Sequence, residues 1–278
     1  MDYKIIIVPI IIIFLVLLIL IIILLKNNNK SQKYNNDLLN IYIDDINYHM
    51  NFMKGNKIFE NLKNNNMLKI PNNKKNKFLF VSFDNRTNLS YLDKHNENIN
   101  KYVNKYGYTY KFINTCYYNV YWCKIKLILD ELENNNIYDY VIWLDSDTAI
   151  QNMDVDINDI VNKYNSDIFV GNDNQKKRDL INAGVFIIKN SIIGKQYLKD
   201  CINNVKNVCF NKDGSLNGLW ASSCYEQGQM NILINNKYYN NTTILPNHII
   251  FNYDKCSKDT FIMHFYRSGN QNMDYCFK

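Results

Sequence analysis

Apolar and polar positions divide the chain into three textures. Ile5 to Leu25 is a run of 21 residues without a charge, broken only by Pro9. As a helix it spans ~31 Å, close to the hydrocarbon core of a bilayer. Its length, and the lack of a small-x-small site after it, predict an uncleaved transmembrane anchor rather than a signal peptide. Residues 26–76 are polar and rich in Asn and Lys, yet Leu39, Ile43, Ile46, Met50 and Met53 recur at alternating steps of four and three. That spacing predicts an amphipathic helix lying on the domain that follows, or, alternatively, a two-heptad seam that would join copies of the chain. In both cases residues 26–76 form a stem between the anchor and a domain over 77–278.

From Lys77 strand and helix signals alternate, which predicts an α/β domain with a parallel sheet. Phe78 to Val81 is the first strand and Ser82 to Arg86 the polar loop after it. Tyr91 to Tyr106 reads as a helix stopped by Gly107, Tyr108 to Ile113 as a strand, and Trp122 to Glu133 as a helix. Tyr140-Val141-Ile142-Trp143-Leu144 is apolar at every position, as in a strand covered on both faces. A short strand at Ala149-Ile150, a helix over Ile157 to Tyr164 and a strand over Asp167 to Val170 follow. Beyond a basic loop, Lys176 to Arg178, come Asn182-Ala183-Gly184 and a strand into Ile188. Ser191 caps a helix reaching Asn204, Tyr225 opens another running to Ile234, and Phe261 to Phe265 is the last strand.

Chemistry collects where these strands end. Asp145 and Asp147 follow the central apolar run, and ligands of open α/β sheets gather at the carboxyl ends of strands. Two acids one residue apart either form a polar turn or converge on a hard divalent cation, Mg²⁺ or Mn²⁺, that shares its shell with phosphates. The loop containing Ser82 and Arg86 offers a nucleotide a resting place. The small residues Ala183 and Gly184, with Asn182, let a sugar ring approach the backbone. Glu226 and Gln227 stand at the positive end of a helix, where polar ligand groups are favoured. No G-x-G-x-x-G turn is present, which disfavours a dinucleotide. Trp122 and Trp143 read as core.

Composition narrows the partners. The net charge of +6 is spread among Asn-rich segments rather than gathered in a basic, aromatic-studded stripe, so nothing points to nucleic acid. The seven Cys, at 116, 123, 201, 209, 224, 256 and 276, include no Cys-x-x-Cys pair, which argues against structural zinc. They leave two readings, one or two disulfides in an oxidising lumen or unpaired small apolar residues.

The ordered motifs resemble one family, the membrane-anchored galactosyl- and mannosyltransferases of the fungal Golgi with the plant xyloglucan xylosyltransferases. The motifs are Lys105-Tyr106-Gly107-Tyr108, Trp122-Cys123-Lys124-Ile125, Trp143-Leu144-Asp145-Ser146-Asp147, Asn182-Ala183-Gly184-Val185-Phe186 with Lys189-Asn190, Glu226-Gln227 and His264-Phe265, and they run from Phe78 to Gly269. The resemblance implies a GT-A fold, the Rossmann-like domain of nucleotide-diphospho-sugar transferases, behind the transmembrane helix. It also implies a retaining transfer of a hexose or pentose from a UDP- or GDP-sugar to a glycan or glycoprotein acceptor. Asp147 and His264 would ligate Mn²⁺, or Mg²⁺ in its place, and Asp145 would contact the metal or the donor's ribose. Gln227 with Glu226 would stand near the anomeric carbon, and Asn182, Ala183 and Gly184 would line the sugar. Lys124, Ser82 and Arg86 are further donor-binding candidates. Arg267 offsets pyrophosphate charge or faces water, and Gly269 stands in the closing loop, five residues after His264 where the family has a shorter step to a Gly-Cys pair.

Two other functions use the same residues: a metal-dependent nucleotide-sugar hydrolase and an inactive glycan-binding scaffold. The resemblance implies a single-pass type II protein with its catalytic domain in the Golgi or ER lumen. The Lys count runs the other way, with Lys4 before the span and Lys26, Lys30 and Lys33 after it. Sequons at Asn85 and Asn88 fall where the nucleotide would dock; Asn240 and Asn241 are freer glycan acceptors.

Overall fold

Strands that are apolar on both sides need cover on both faces, and that need sets the architecture. The computed structural model describes residues 32–53, 74–86, 88–173, 181–252, 259–265 and 276–277. The Ile5 to Leu25 run, Lys176 to Arg178, Arg267 and Gly269 lie outside them. Among the described residues no helix is long and apolar enough to cross a membrane.

The chain order is α1 (Gln32–Met53), β1 (Phe78–Phe83), α2 (Leu92–Tyr106), β2 (Thr109–Ile113), α3 (Val120–Asn134), β3 (Tyr140–Leu144), β4 (Thr148–Ile150), α4 (Ile157–Tyr164), β5 (Ile168–Asn172), β6 (Ile181–Lys189), α5 (Ile192–Asn204), α6 (Glu226–Leu233), β7 (Thr242–Leu245), β8 (Ile250–Asn252) and β9 (Ile262–His264). A six-stranded sheet runs in the order β2-β1-β3-β6-β5-β7. Alternation along its strands sends residues to two cores. Leu79, Val81, Val141, Trp143, Phe186 and Ile188 pack under α3, α5 and α6. Phe78, Phe80, Tyr140, Ile142, Val185 and Ile187 pack under α2 and α4. The ends follow local chemistry: Gly107 closes α2 in the left-handed conformation at φ 75°, and Ser191 Oγ accepts from Gly194 N at 3.0 Å to cap α5.

The sheet is mixed, not parallel throughout as the sequence predicts. β1 pairs in parallel with β2 and β3, and β5 with β7, but β6 runs antiparallel to both β3 and β5. Residues 173–180 explain it: a parallel crossover needs a dozen or more residues, and a connection this short only permits the chain to turn back. Strands β7 and β8 were not anticipated. Asn182, Ala183 and Gly184 lie inside β6 rather than ahead of it. A second sheet, β4-β9-β8, carries the last strand to the end of β3 and registers Thr148 against His264.

Helix α1 lies on the domain, but by another face than the one its spacing suggests. Ile43 is 45% exposed, whereas Ile41 and Asp45 are buried. Ile41 packs on Val208, Cys209 and Cys224, beside the disulfide Cys209–Cys224. Asp45 accepts hydrogen bonds from Leu219 N (3.3 Å), Ser223 N (3.1 Å) and Ser223 Oγ (2.8 Å). The amides of the 217–225 loop select the docked face because they need an acceptor once buried. Asp45→Ala leaves these donors without one, and is expected to cost about 1–3 kcal/mol. Urea unfolding of the variant against wild type measures this; equal midpoints would show that α1 is not held by Asp45.

Candidate active site

The backbone after β3 turns tightly and frees two carboxylates. Asp145 N donates to Gly184 O at 2.8 Å, one step past the β3–β6 ladder, and Asp145 O accepts from Thr148 N (3.1 Å) and Thr148 Oγ1 (2.8 Å). The segment is therefore a polar turn, and the turn is what aims both side chains. Phe265 N donates to Asp147 O at 2.9 Å, which brings β9 alongside. His264 Nε2 then lies 3.2 Å from Asp147 Oδ1 and 3.7 Å from Asp145 Oδ2.

One ligand atom from each of Asp145, Asp147 and His264 falls within 4.8 Å of the others. Adjacent donors around an octahedral divalent ion stand roughly 3 Å apart, so the three atoms fit a shared cation with little adjustment. Two carboxylate oxygens and one imidazole nitrogen suit Mn²⁺ and tolerate Mg²⁺. Burial would lower the His264 pKa, but the facing carboxylates of Asp147 and Asp145 outweigh it and the net shift is upward. Gly184 makes the approach possible. A Cβ at that position would lie 2.2 Å from His264 Cε1, so the space of the missing side chain is filled by imidazole.

Behind Asp145 a buried cation ties four elements together. Lys124, from α3, reaches Asp145 Oδ1 (2.9 Å) and Oδ2 (3.2 Å), Ala183 O (3.3 Å) and Glu226 Oε1 (3.3 Å). Burial pulls its pKa down, yet the two carboxylates prevail and the ammonium is held above its ordinary value. Burial pushes Glu226 up, with Lys124 opposing. Trp143 Nε1 donates to Asp145 Oδ1 at 2.6 Å, so this tryptophan is core with one polar edge on the site. On α6, Gln227 Oε1 accepts from Ala183 N (3.0 Å) and Asn231 Oδ1 from Ile181 N (3.2 Å), an i, i+4 pair of amides laid against β6.

The loop after β1 forms the opposite wall. Asp84 accepts from Ser146 Oγ (2.5 Å) and from Arg86 through Nε (2.9 Å) and Nη2 (2.7 Å). Burial raises its pKa, the bonds from Arg86 and Ser146 lower it more, and the carboxyl ends below its usual range. A cleft of about 320 Å³ opens between the walls, lined by Phe83 to Arg86, Val120, Tyr121, Lys124, Trp143 and Asp145 to Asp147. That is the size of a small-ligand site.

Of the expected site residues, Asp145, Asp147, Lys124 and Arg86 line this cleft, His264 completes the acid cluster, and Glu226 and Gln227 stand at the start of α6. Ser82 does not face the cleft. It is fully buried, 3.0 Å from His95 Nε2, while His95 Nδ1 bonds Thr148 O at 2.8 Å. The reason is strand alternation, which puts Ser82 on the same face as Phe78 and Phe80, under α2 and its His95, whereas Asp84 lies just past the end of β1 and turns to Ser146. Asn182, Ala183 and Gly184 are also closed off: Asn182 Oδ1 accepts from Gly184 N (2.8 Å), Gln227 covers the Ala183 amide, and His264 fills the space over Gly184. A sugar ring therefore does not reach the Gly184 backbone in this arrangement. Sequence reasoning missed Asp84 and Ser146 as partners, although Asp84 follows β1 much as Asp145 follows β3. It gave no signal for Tyr121.

No protein-family model matches the chain, and no curated protein matches it in sequence. Solved structures match in fold. A glycosyltransferase involved in the glycosylation of the major capsid of PBCV-1 aligns with a TM-score of 0.55 and 14% identity, over 72% of this chain and 98% of that one. The galactosyltransferase LgtC in complex with donor and acceptor sugar analogues aligns at a TM-score of 0.43 and 12% identity, over 72% and 95% of the two chains. Mouse xyloside xylosyltransferase 1 gives 0.40 and 9%, over 69% and 97%. The first of these likenesses establishes the fold: a mixed α/β domain with a parallel-rich sheet, as in GT-A glycosyltransferases.

Gly184→Ala is expected to push the imidazole away from the acids and weaken Mn²⁺ binding by about 10- to 100-fold, as loss of a supporting contact at a metal site does. Calorimetric titration of Mn²⁺ reads this directly, and unchanged affinity would remove His264 from the cation site. A second expectation concerns pH. Burial depresses the His95 pKa despite the Thr148 carbonyl, so the unfolded chain takes up a proton near pH 6.5 that the folded chain refuses, and stability falls as pH drops through that value. His264, with a raised pKa, acts in the opposite sense and cancels when wild type is compared with His95→Gln. Wild type should lose more stability than the variant between pH 7 and 5.5 in urea unfolding; parallel losses would refute it.

Proposed function

We propose that the chain is a metal-dependent glycosyltransferase that moves a hexose or pentose, of galactose, mannose or xylose type, from a UDP- or GDP-sugar to a glycan or glycoprotein acceptor with retention at the anomeric carbon. The observation that carries this reading is the convergence of Asp145, Asp147 and His264, from two sheets, beside a nucleotide-sized cleft in a domain of GT-A fold. A divalent cation held there, Mn²⁺ or Mg²⁺, supplies Lewis-acid neutralisation of the diphosphate leaving group.

The chain's own residues do the rest. Asp147 and His264 hold the cation, and Asp145, already engaged by Lys124 and Trp143, presents a fixed edge to it or to the donor's ribose. Arg86 lines the cleft with 62% of its side chain exposed and its fork on Asp84, a cation within reach of the donor's phosphates. Gln227 keeps its oxygen on the Ala183 amide, so its NH₂ is the group left to donate toward the sugar. Glu226 is buried against Lys124 and serves to set the ammonium's position.

An anchored protein with this domain in an oxidising lumen fits the cysteines. Cys116–Cys123 and Cys209–Cys224 are disulfides, Cys276 is disulfide-bonded as well, and Cys201 is a buried thiol. Asn240 is exposed and available to a glycan. The domain takes the Ile41 and Asp45 face of α1 and leaves Ile43 45% exposed, so homo-oligomerisation through α1 would use the Ile43 face.

Full-length protein in detergent, incubated with a panel of UDP- and GDP-sugars, is expected to release nucleotide from one donor with Mn²⁺ and not with chelator. Asp147→Ala should lower that rate at least ~100-fold. Release that ignores chelator and survives the substitution would defeat the proposal.

A further inference from the structure

Large aromatic side chains left in water forfeit the free energy of burial, and beside the cleft three of them share one surface. Trp220 is 60% exposed, Tyr121 36%, and Tyr225 is half-buried. Their ring centroids lie 5.4 Å (Tyr121–Trp220), 5.0 Å (Trp220–Tyr225) and 5.2 Å (Tyr121–Tyr225) apart, at interplanar angles of 73°, 61° and 67°. Edge-to-face contacts on every side fix the rings against one another.

The loop that carries Trp220 and Tyr225 is fixed as well. The disulfide Cys209–Cys224 crosses it, Trp122 Nε1 donates to Cys224 O at 3.1 Å, and Asp45 of α1 gathers Leu219 N and Ser223. Gly218 and Ala221 flank Trp220 closely with φ of 85° and 57°. For Ala221 this conformation is strained, and such strain is kept only where the surroundings over-determine the backbone. The outward tryptophan is thus built into the fold.

Its position continues the cleft. Tyr121 belongs both to the aromatic surface and to the cleft wall that holds Lys124 and Asp145. Tyr225 directly precedes Glu226, whose carboxylate bonds Lys124. A ligand on the rings therefore stands next to the place where a donor's sugar would lie. A pyranose suits such a surface: one face of the ring is a patch of C–H bonds that packs on a flat π-system, and its rim of hydroxyls needs polar partners, which the tyrosine hydroxyls provide.

We propose that Tyr121, Trp220 and Tyr225 form a subsite for a pyranose ring of the acceptor glycan. The inference rests on the glycosyltransferase reading and names the acceptor chemistry of the same site. A pyranose acceptor stacked here has one face shielded by the rings and offers a hydroxyl on its rim toward the cleft.

The test titrates full-length protein in detergent with neutral disaccharides of galactose, glucose and mannose, following tryptophan fluorescence and heat, for wild type, Trp220→Ala and Trp220→Phe. UDP and GDP are titrated in parallel. At least one disaccharide should bind wild type saturably, Trp220→Ala should weaken it about tenfold or more, Trp220→Phe should recover part of the loss, and nucleotide affinity should stay unchanged in both variants. Unchanged nucleotide affinity also shows that the variants are folded. No disaccharide binding to wild type, equal binding by Trp220→Ala, or a matching loss of nucleotide affinity that marks the rings as a base platform would each overturn the proposal. Failure of the transferase reading registers elsewhere, as metal-independent or absent nucleotide release with disaccharide binding intact.

Discussion

A buried ammonium is stable only where carboxylates surround it, and Lys124 has two. Its Nζ lies within 3.3 Å of Asp145, Glu226 and the Ala183 carbonyl, so one charge fixes the relative positions of α3, the end of β3, β6 and the start of α6. Breaking such a buried set by removing one partner leaves an uncompensated charge, at a typical cost of about 3–5 kcal/mol. The alternative of an apolar residue would pack as well or better. What the ion pairs add is orientation: Asp145 is held on one side by Lys124 and Trp143 and is open on the other toward Asp147 and His264.

The second constraint is closeness. An imidazole can lie on β6 only because residue 184 has no side chain, and it comes from a strand that belongs to a different sheet. The β4–β9 pairing puts Thr148 opposite His264, and the turn that begins at Asp145 ends at Thr148. Strand register thus places the histidine near the acids. His95 braces the same turn from behind through the Thr148 carbonyl, so the three candidate ligands sit on backbone that is hydrogen-bonded from both sides.

Around this centre the surface is shaped by elements far away in sequence. Helix α1, before the domain, supplies Asp45 to the loop that carries Trp220, and Cys209–Cys224 holds that loop against α3 through Cys224 and Trp122. The exposed rings, the loop's strained backbone and the first turn of α6 are consequently one mechanical unit. A helix that docks in this way is part of the wall next to the cleft.

The sequence by itself determined the local structure and the chemistry that local structure carries. Short apolar runs declared the strands and a fully apolar β3 its two-sided burial, Gly107 and Ser191 declared helix ends, and Asp145 and Asp147 stood where β3 had to stop. These are properties of neighbours along the chain, and burial periodicity records them. Tertiary structure alone decided the direction of β6, the hiding of Ser82 behind His95, the face by which α1 docks, and the meeting of Gly184 with His264, 80 positions apart in the numbering. Those outcomes depend on which surfaces fill one another's space and which buried donors find acceptors. Such choices compete over the whole chain, so no single stretch of residues encodes them.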